Sequence, residues 1–137
     1  MIEEPALSLA KGPNFGAFTT IFPSGRPMTH VMWVDCDGEH ILINTETHRV
    51  KFKNVQTNPN VAVAIWDRDD PYRYAEVRGT VVDTVAGEEA RRHIDALSMQ
   101  YTNHPYPPDH IGERVILKIA PVRQRAKEGP EAPPPAK

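Results

Sequence analysis

The pair Asp37-Gly38 stands between two runs of β-type residues, MTHVMWVDC at residues 28–36 and HILINT at residues 40–45. Asp-Gly supplies the positive φ angles of a tight hairpin turn, so the flanking runs are committed to antiparallel pairing. A second punctuation lies upstream, where AFTTIF at residues 17–22 ends at Pro23-Ser24-Gly25 and leads into the same MTHVMWVDC run. Aromatic and β-branched residues dominate both segments, and three antiparallel strands therefore open the chain.

The next stretch, THRVKFKNVQTNP at residues 47–59, loses the twofold alternation, offers Thr47 as an N-cap and closes at Asn58-Pro59. A helix of two to three turns is predicted. VAVAIWD and YAEVRGTVVDT follow as strands, with RDDPYR between them as a polar loop; the first is continuously apolar and is expected to be buried on both faces or central in its sheet. In GEEARRHIDALSMQY, Ala90, Ile94, Leu97 and Tyr101 recur at spacings of four, three and four, which is one helical face. Three prolines in TNHPYPPDHIGE stop that helix, and RVILKIAPVRQRA is the closing strand. The order β-β-β-α-β-β-α-β predicts a mainly β fold, a six-stranded antiparallel barrel with two helices. Side chains fill the interior of so small a barrel, so a sizeable ligand has to bind outside it, and a place between subunits is expected.

A length of 137 residues suits one domain. The body is expected over residues 1–126, packed from about Leu7. The remainder, residues 127–137, contains GPEAPPPAK with four of the 14 prolines and no large apolar side chain, and reads as a disordered tail. Lys and Arg total 16 against 18 Asp and Glu, a formal charge of −2, so a general attraction to nucleic acid or anionic membrane is excluded and any anion site is local. Cys36 is the single cysteine and cannot form an internal disulfide. No apolar run approaches the roughly 20 residues of a membrane span, and the acidic start MIEEPALSLA does not read as a signal peptide. A cytoplasmic location is expected.

Chemistry concentrates in residues 44–54, where Thr45, Thr47, Arg49, Lys51, Lys53 and Asn54 gather at a strand end and a helix start. Backbone N–H groups and the helix dipole favour an anion there, and each cation adds charge-assisted hydrogen bonds of about 1.5–3 kcal/mol. Arg49 and Lys53 share a helical face while Lys51 lies roughly 200° from Arg49, so one of the three has to come from an irregular first turn. A solvated basic helix face explains the same residues, and composition does not separate the two readings. His93, His104 and His110 match no compact zinc spacing. G-x-G-x-x-G, Walker and G-x-S-x-G patterns are absent, which removes the sequence arguments for dinucleotide-fold enzymes, NTPases and serine hydrolases.

Thr47, Lys51, Lys53, Asn54, Pro59, Val61, Ala62 and Val63 spell T-x-x-x-K-x-K-N-x-x-x-x-P-x-V-A-V. With the AFTTIFPSGRPMTHVMWV opening, RYAEVRGTVV and the final RVILKIAPVR, this layout resembles the pyridoxamine-5′-phosphate-oxidase-like split barrels. More narrowly, it is similar to their actinobacterial branch of deazaflavin (coenzyme F420)-dependent oxidoreductases. The resemblance implies a homodimer of six-stranded split barrels with one flavin-like cofactor in each interface cleft. It implies that Thr45, Thr47, Lys51, Lys53 and Asn54, with Arg49, hold the cofactor's phosphate and side chain. Val31, Met32 and Trp33 would flank the ring, and Trp66, Tyr72 or Tyr74 would come from the other subunit. His30 and Tyr74 are candidates for a proton donor. The implied activity is hydride transfer from reduced F420 to an unsaturated or quinone-like organic molecule. FMN is the alternative cofactor, and a non-catalytic flavin-, deazaflavin- or haem-binding protein is the alternative class.

Overall fold

The computed structural model describes residues 1–107 and 112–128; His110 and most of the expected tail lie outside them. The chain reverses at Asp37-Gly38 through a four-residue loop in which Asp37 Oδ1 accepts the backbone N–H groups of Glu39 and His40 and Gly38 takes φ 96°. Only a short part of the preceding run belongs to that hairpin. β1 (Phe15–Ile21) pairs with β2 (Pro27–Trp33), whereas β3 (Asp35–Cys36) pairs with β4 (Ile41–Glu46), so the expected single strand over residues 28–36 is broken at Val34. α2 (Val50–Thr57) leads to β5 (Asn60–Asp67), and β6 (Asp70–Ala86) returns after a two-residue turn. α3 (Gly87–Thr102) and β7 (Arg114–Lys127) complete the body.

Among the described residues the strands form one antiparallel sheet of seven in the order β2-β1-β5-β6-β7-β4-β3. The two edge strands are consecutive in the chain, so the sheet curls until its edges meet at Val34. The expected barrel class is therefore present, with seven strands in place of six because the break at Val34 divides one run between both edges. RDDPYR is not a loop: only Arg68 and Asp69 lie outside the strands, and β6 continues for 17 residues. Bulges between Arg78 and Gly79 and between Val81 and Asp83 bend β6 and allow it to pair with β5 and with β7. Gly79 is required at the first bend, because a Cβ there would stand 2.3 Å from the carbonyl oxygen of Ala120.

The curl encloses Phe18, Ile41, Ile43, Val63, Ile65, Val77, Leu117 and Ile119, all buried. Burial of each such side chain is worth about 1.5–3 kcal/mol before entropy is counted. A third helix absent from the sequence reading, α1 (Ala6–Lys11), inserts Leu9 and Ala10 into this core, and Ile2 is buried beside them. Packing thus begins ahead of Leu7. α3 covers the opposite face of β4 and β7, where Ala90 meets Leu42 and Ile116. Asn103, in the left-handed conformation at φ 61°, ends it before the prolines do. No helix among the described residues is long and apolar enough to cross a membrane.

Candidate functional site

Strand parity decides which side chains leave the core. Along β4, Ile41 and Ile43 point into the barrel, so Thr45 points there too and is buried, while Leu42, Asn44 and Glu46 face α3. On that side a cleft of about 310 Å³ opens between the end of β2, α3 and the first residue of β7. Its wall is Val31, Met32, Trp33 and Phe15, with Ile94 and Leu97 opposite; Asn44, Tyr106 and Arg114 supply the polar groups. Trp33 stacks on Tyr101 at 5.2 Å between ring centroids and meets Tyr106 edge-on.

Tyr101 holds this wall in place. Its hydroxyl oxygen accepts the Val34 backbone N–H at 3.1 Å, and its proton faces the carbonyl oxygens of Val34 and Asn14. The groups freed where the sheet splits are thus satisfied by one side chain from α3. Burial raises the Tyr101 pKa to about 12.

Arg114 marks the inner end of the cleft. Its Nη1 lies 3.2 Å from Glu46 Oε1 and donates to the Tyr106 hydroxyl, and its Nε donates to Asn44 Oδ1 at 2.9 Å. Arg114 and Glu46 side chains are each only 7% exposed. Arg49 reaches the same Glu46 oxygen at 3.5 Å, and His48 comes within 3.7 Å of the other. Lys51 is buried nearby: burial, then the positive charges of Arg49 and Arg114, hold its pKa below the usual lysine value, with Glu46 opposing. Among the described residues, a cationic corner with Glu46 at its centre therefore adjoins the aromatic wall.

The sequence candidates divide accordingly. Val31, Met32 and Trp33 line the cleft; Arg49 and Lys51 do not line it but lie around Glu46 and Arg114 at its end, Arg49 from the extended residue preceding α2, where it replaces the expected Thr47 cap. Lys53 is exposed on α2. Thr47 instead bonds Glu113 through backbone and hydroxyl. Asn54 is turned into the barrel, where its amide donates to Thr20 Oγ1 at 3.1 Å, so neither Thr45 nor Asn54 faces the cleft of its own chain. His30 and Tyr74 are exposed and do not line it. Trp66 and Tyr74 are cross-strand partners beside Phe15 on the outer sheet face. Asn44, Glu46 and Arg114 are not among the sequence candidates; the parity of ILINTE is the available signal for the first two.

The family model described as pyridoxamine 5′-phosphate oxidase matches residues 2–128. A solved structure named F420 reductase is 35% identical, with a TM-score of 0.79, over 90% of this chain and 98% of its own. A conserved hypothetical protein from Mycobacterium tuberculosis is 24% identical with a TM-score of 0.73, over 93% and 85% of the two chains. The General Stress Protein 26 from Bacillus anthracis shares the fold at 20% identity and a TM-score of 0.62, covering 88% of each chain. No curated protein matches.

Proposed function

Because the chain belongs to the pyridoxamine 5′-phosphate oxidase family, we propose that it is an oxidoreductase whose cleft seats the planar head of a flavin-type cofactor, F420 ahead of FMN. Its activity is hydride transfer to an unsaturated or quinone-like organic molecule. One observation carries this reading: the apolar wall of Val31, Met32 and Trp33 runs into the corner of Arg114, Lys51 and Arg49, a combination suited to a ligand with a flat head and an anionic arm. A volume of about 310 Å³ sits at the low end for a ligand pocket of roughly 300–1,000 Å³, so it accommodates the head while the arm extends along the start of α2. The likeness to an F420 reductase at 35% identity supports F420.

Met32, Trp33 and Val31 would orient the ring and exclude water from one side of it. Arg49 and Lys51 would hold the anionic arm, each contact contributing about 1.5–3 kcal/mol. When bound, a reduced deazaflavin or flavin supplies the hydride from its own ring. The second wall belongs to another copy of the chain in this proposal. Val31 is 64% exposed at the cleft rim, and Ala17, Ala62 and Ala64 continue from it as a small-residue surface on the outer sheet face.

Titration of the purified protein with F420 and with FMN, followed by mixing of the reduced complex with enones and quinones, tests the proposal. Expected results are tighter binding of F420 and oxidation of the bound cofactor by at least one acceptor. Tight FMN binding with no response to F420 would reverse the cofactor assignment. A second reading is a carrier that binds without turnover; the described residues that line the cleft include neither a histidine nor a carboxylate. Its signature is binding with no acceptor-dependent oxidation.

A further inference from the structure

Behind the cleft, four side chains from four elements form a continuous polar chain with a single self-consistent orientation. Arginine can only donate, so the Asn44 atom 2.9 Å from Arg114 Nε is the amide oxygen. The Asn44 amide nitrogen then faces two acceptors, the Ala90 carbonyl oxygen at 2.9 Å and His93 Nδ1 at 3.0 Å, and has one hydrogen for each. His93 Nδ1 is therefore the accepting nitrogen, and Nε2 carries the proton, which it donates to Asp35 Oδ2 at 2.9 Å. α3, β3, β4 and β7 are thus tied through one side chain each to the direction of one guanidinium. Arg114 is packed further against the Tyr106 ring, 5.1 Å from its centroid, and it lines the cleft.

We propose that His93, acting through Asn44, is a positioning residue that aims Arg114 into the cleft, and that Arg114 so held takes an anionic or carbonyl oxygen of a planar ligand's head. The ligand assignment rests on the function proposed above; the positioning does not. A guanidinium free to rotate loses side-chain entropy when it binds, whereas one already fixed by its neighbours gives up less. The chain also explains why polar residues occupy the α3 side of β4, where Leu42 and Ile116 show that apolar packing is available.

Two measurements on one set of variants test this. In the ligand-free protein, exchange of the Arg114 Nε proton with solvent is followed in ¹⁵N-edited spectra, with Arg114→Lys identifying the signal. His93→Leu is expected to speed exchange by about tenfold, the equivalent of one hydrogen bond, and His93→Gln, which can both accept and donate, to restore most of the protection. Unchanged exchange in His93→Leu overturns the positioning role. With F420 as probe, Arg114→Lys and His93→Leu are each expected to raise Kd by about tenfold, and the double variant to be no weaker than Arg114→Lys alone. Full additivity, or wild-type affinity in His93→Leu, overturns the coupling. A wild-type protein that binds neither F420 nor FMN overturns the cofactor reading and the ligand role of Arg114 together, an outcome distinct from a variant failing where the wild type binds.

Discussion

Lys51 and Glu46 bring opposite charges into the same buried corner, and their contributions to stability and to binding have opposite signs. The Lys51 pKa lies below its usual value, so the folded chain disfavours the charged form; burial comes first and the cations Arg49 and Arg114 second. That penalty applies at neutral pH and is relieved only as pH rises through the lowered value. Lys51→Met is therefore expected to raise the denaturation midpoint of the ligand-free protein and to weaken F420 binding by about 1.5–3 kcal/mol. An Arg26→Ala control in the exposed β1–β2 turn should do neither. Glu46 is the reverse case. It is the shared partner of Arg114 and Arg49, so Glu46→Gln leaves their charge uncompensated, lowers stability, and tightens binding of an anion as simple as pyrophosphate. Equilibrium unfolding and calorimetric titration read both signs, and a variant pair that moves together in stability and affinity would refute the account. The basic cluster itself was legible in residues 44–54. Its centre was not, since a strand carries alternate side chains to opposite faces, and only the parity of the folded strand sends Asn44 and Glu46, rather than Thr45, towards the cleft of this chain.

Among the elements, the break at Val34 has the most consequences. A run such as MTHVMWVDC carries no mark where it changes partners, because every residue in it suits a strand. The break is fixed from a distance by Tyr101, whose place on the buried face of α3 was evident from the four-three-four spacing while its bonds to Val34 were not. α1 leaves no signal in the sequence for a simpler reason: six residues do not complete two turns, so no period is visible. Tyr101→Phe leaves the Val34 N–H, at a fully buried residue, without its acceptor and is expected to cost about 1–3 kcal/mol. The effect also has a pH signature. Because the folded-state pKa is raised to about 12 from 10.0, the protonated tyrosine is favoured by folding. Its contribution is complete below about pH 10 and is lost as pH rises towards 12, and Tyr101→Phe should flatten that part of the stability profile. Denaturation midpoints across the alkaline range would show it. An unchanged slope in Tyr101→Phe would assign the alkaline loss to other groups.

At the scale of the whole molecule, the proposed function includes a second copy, and in that proposal it sits on the outer sheet face. Antiparallel register places Val31, Ala17, Ala64 and Glu76 in one row across β2, β1, β5 and β6, and Thr29, Thr19, Ala62 and Arg78 in the next. Small side chains at the centre of these rows leave the sheet flat enough for a matching surface, and the charged ends supply a polar rim. A groove lined by Thr19, Ile21, Ala62 and Gly79 continues the face towards Val122, which is 76% exposed. The same row begins at Val31 on the cleft rim, so a partner seated there would also close the cleft. Ala64→Arg puts a long cation in the middle of the row, pointing away from the core, and should leave the barrel folded. Light scattering is expected to find the wild type dimeric and Ala64→Arg monomeric, with an unchanged far-ultraviolet spectrum and weaker F420 binding. A wild-type monomer that binds F420 at full strength would show that one chain suffices, whereas an Ala64→Arg dimer with intact affinity would move the interface to another face.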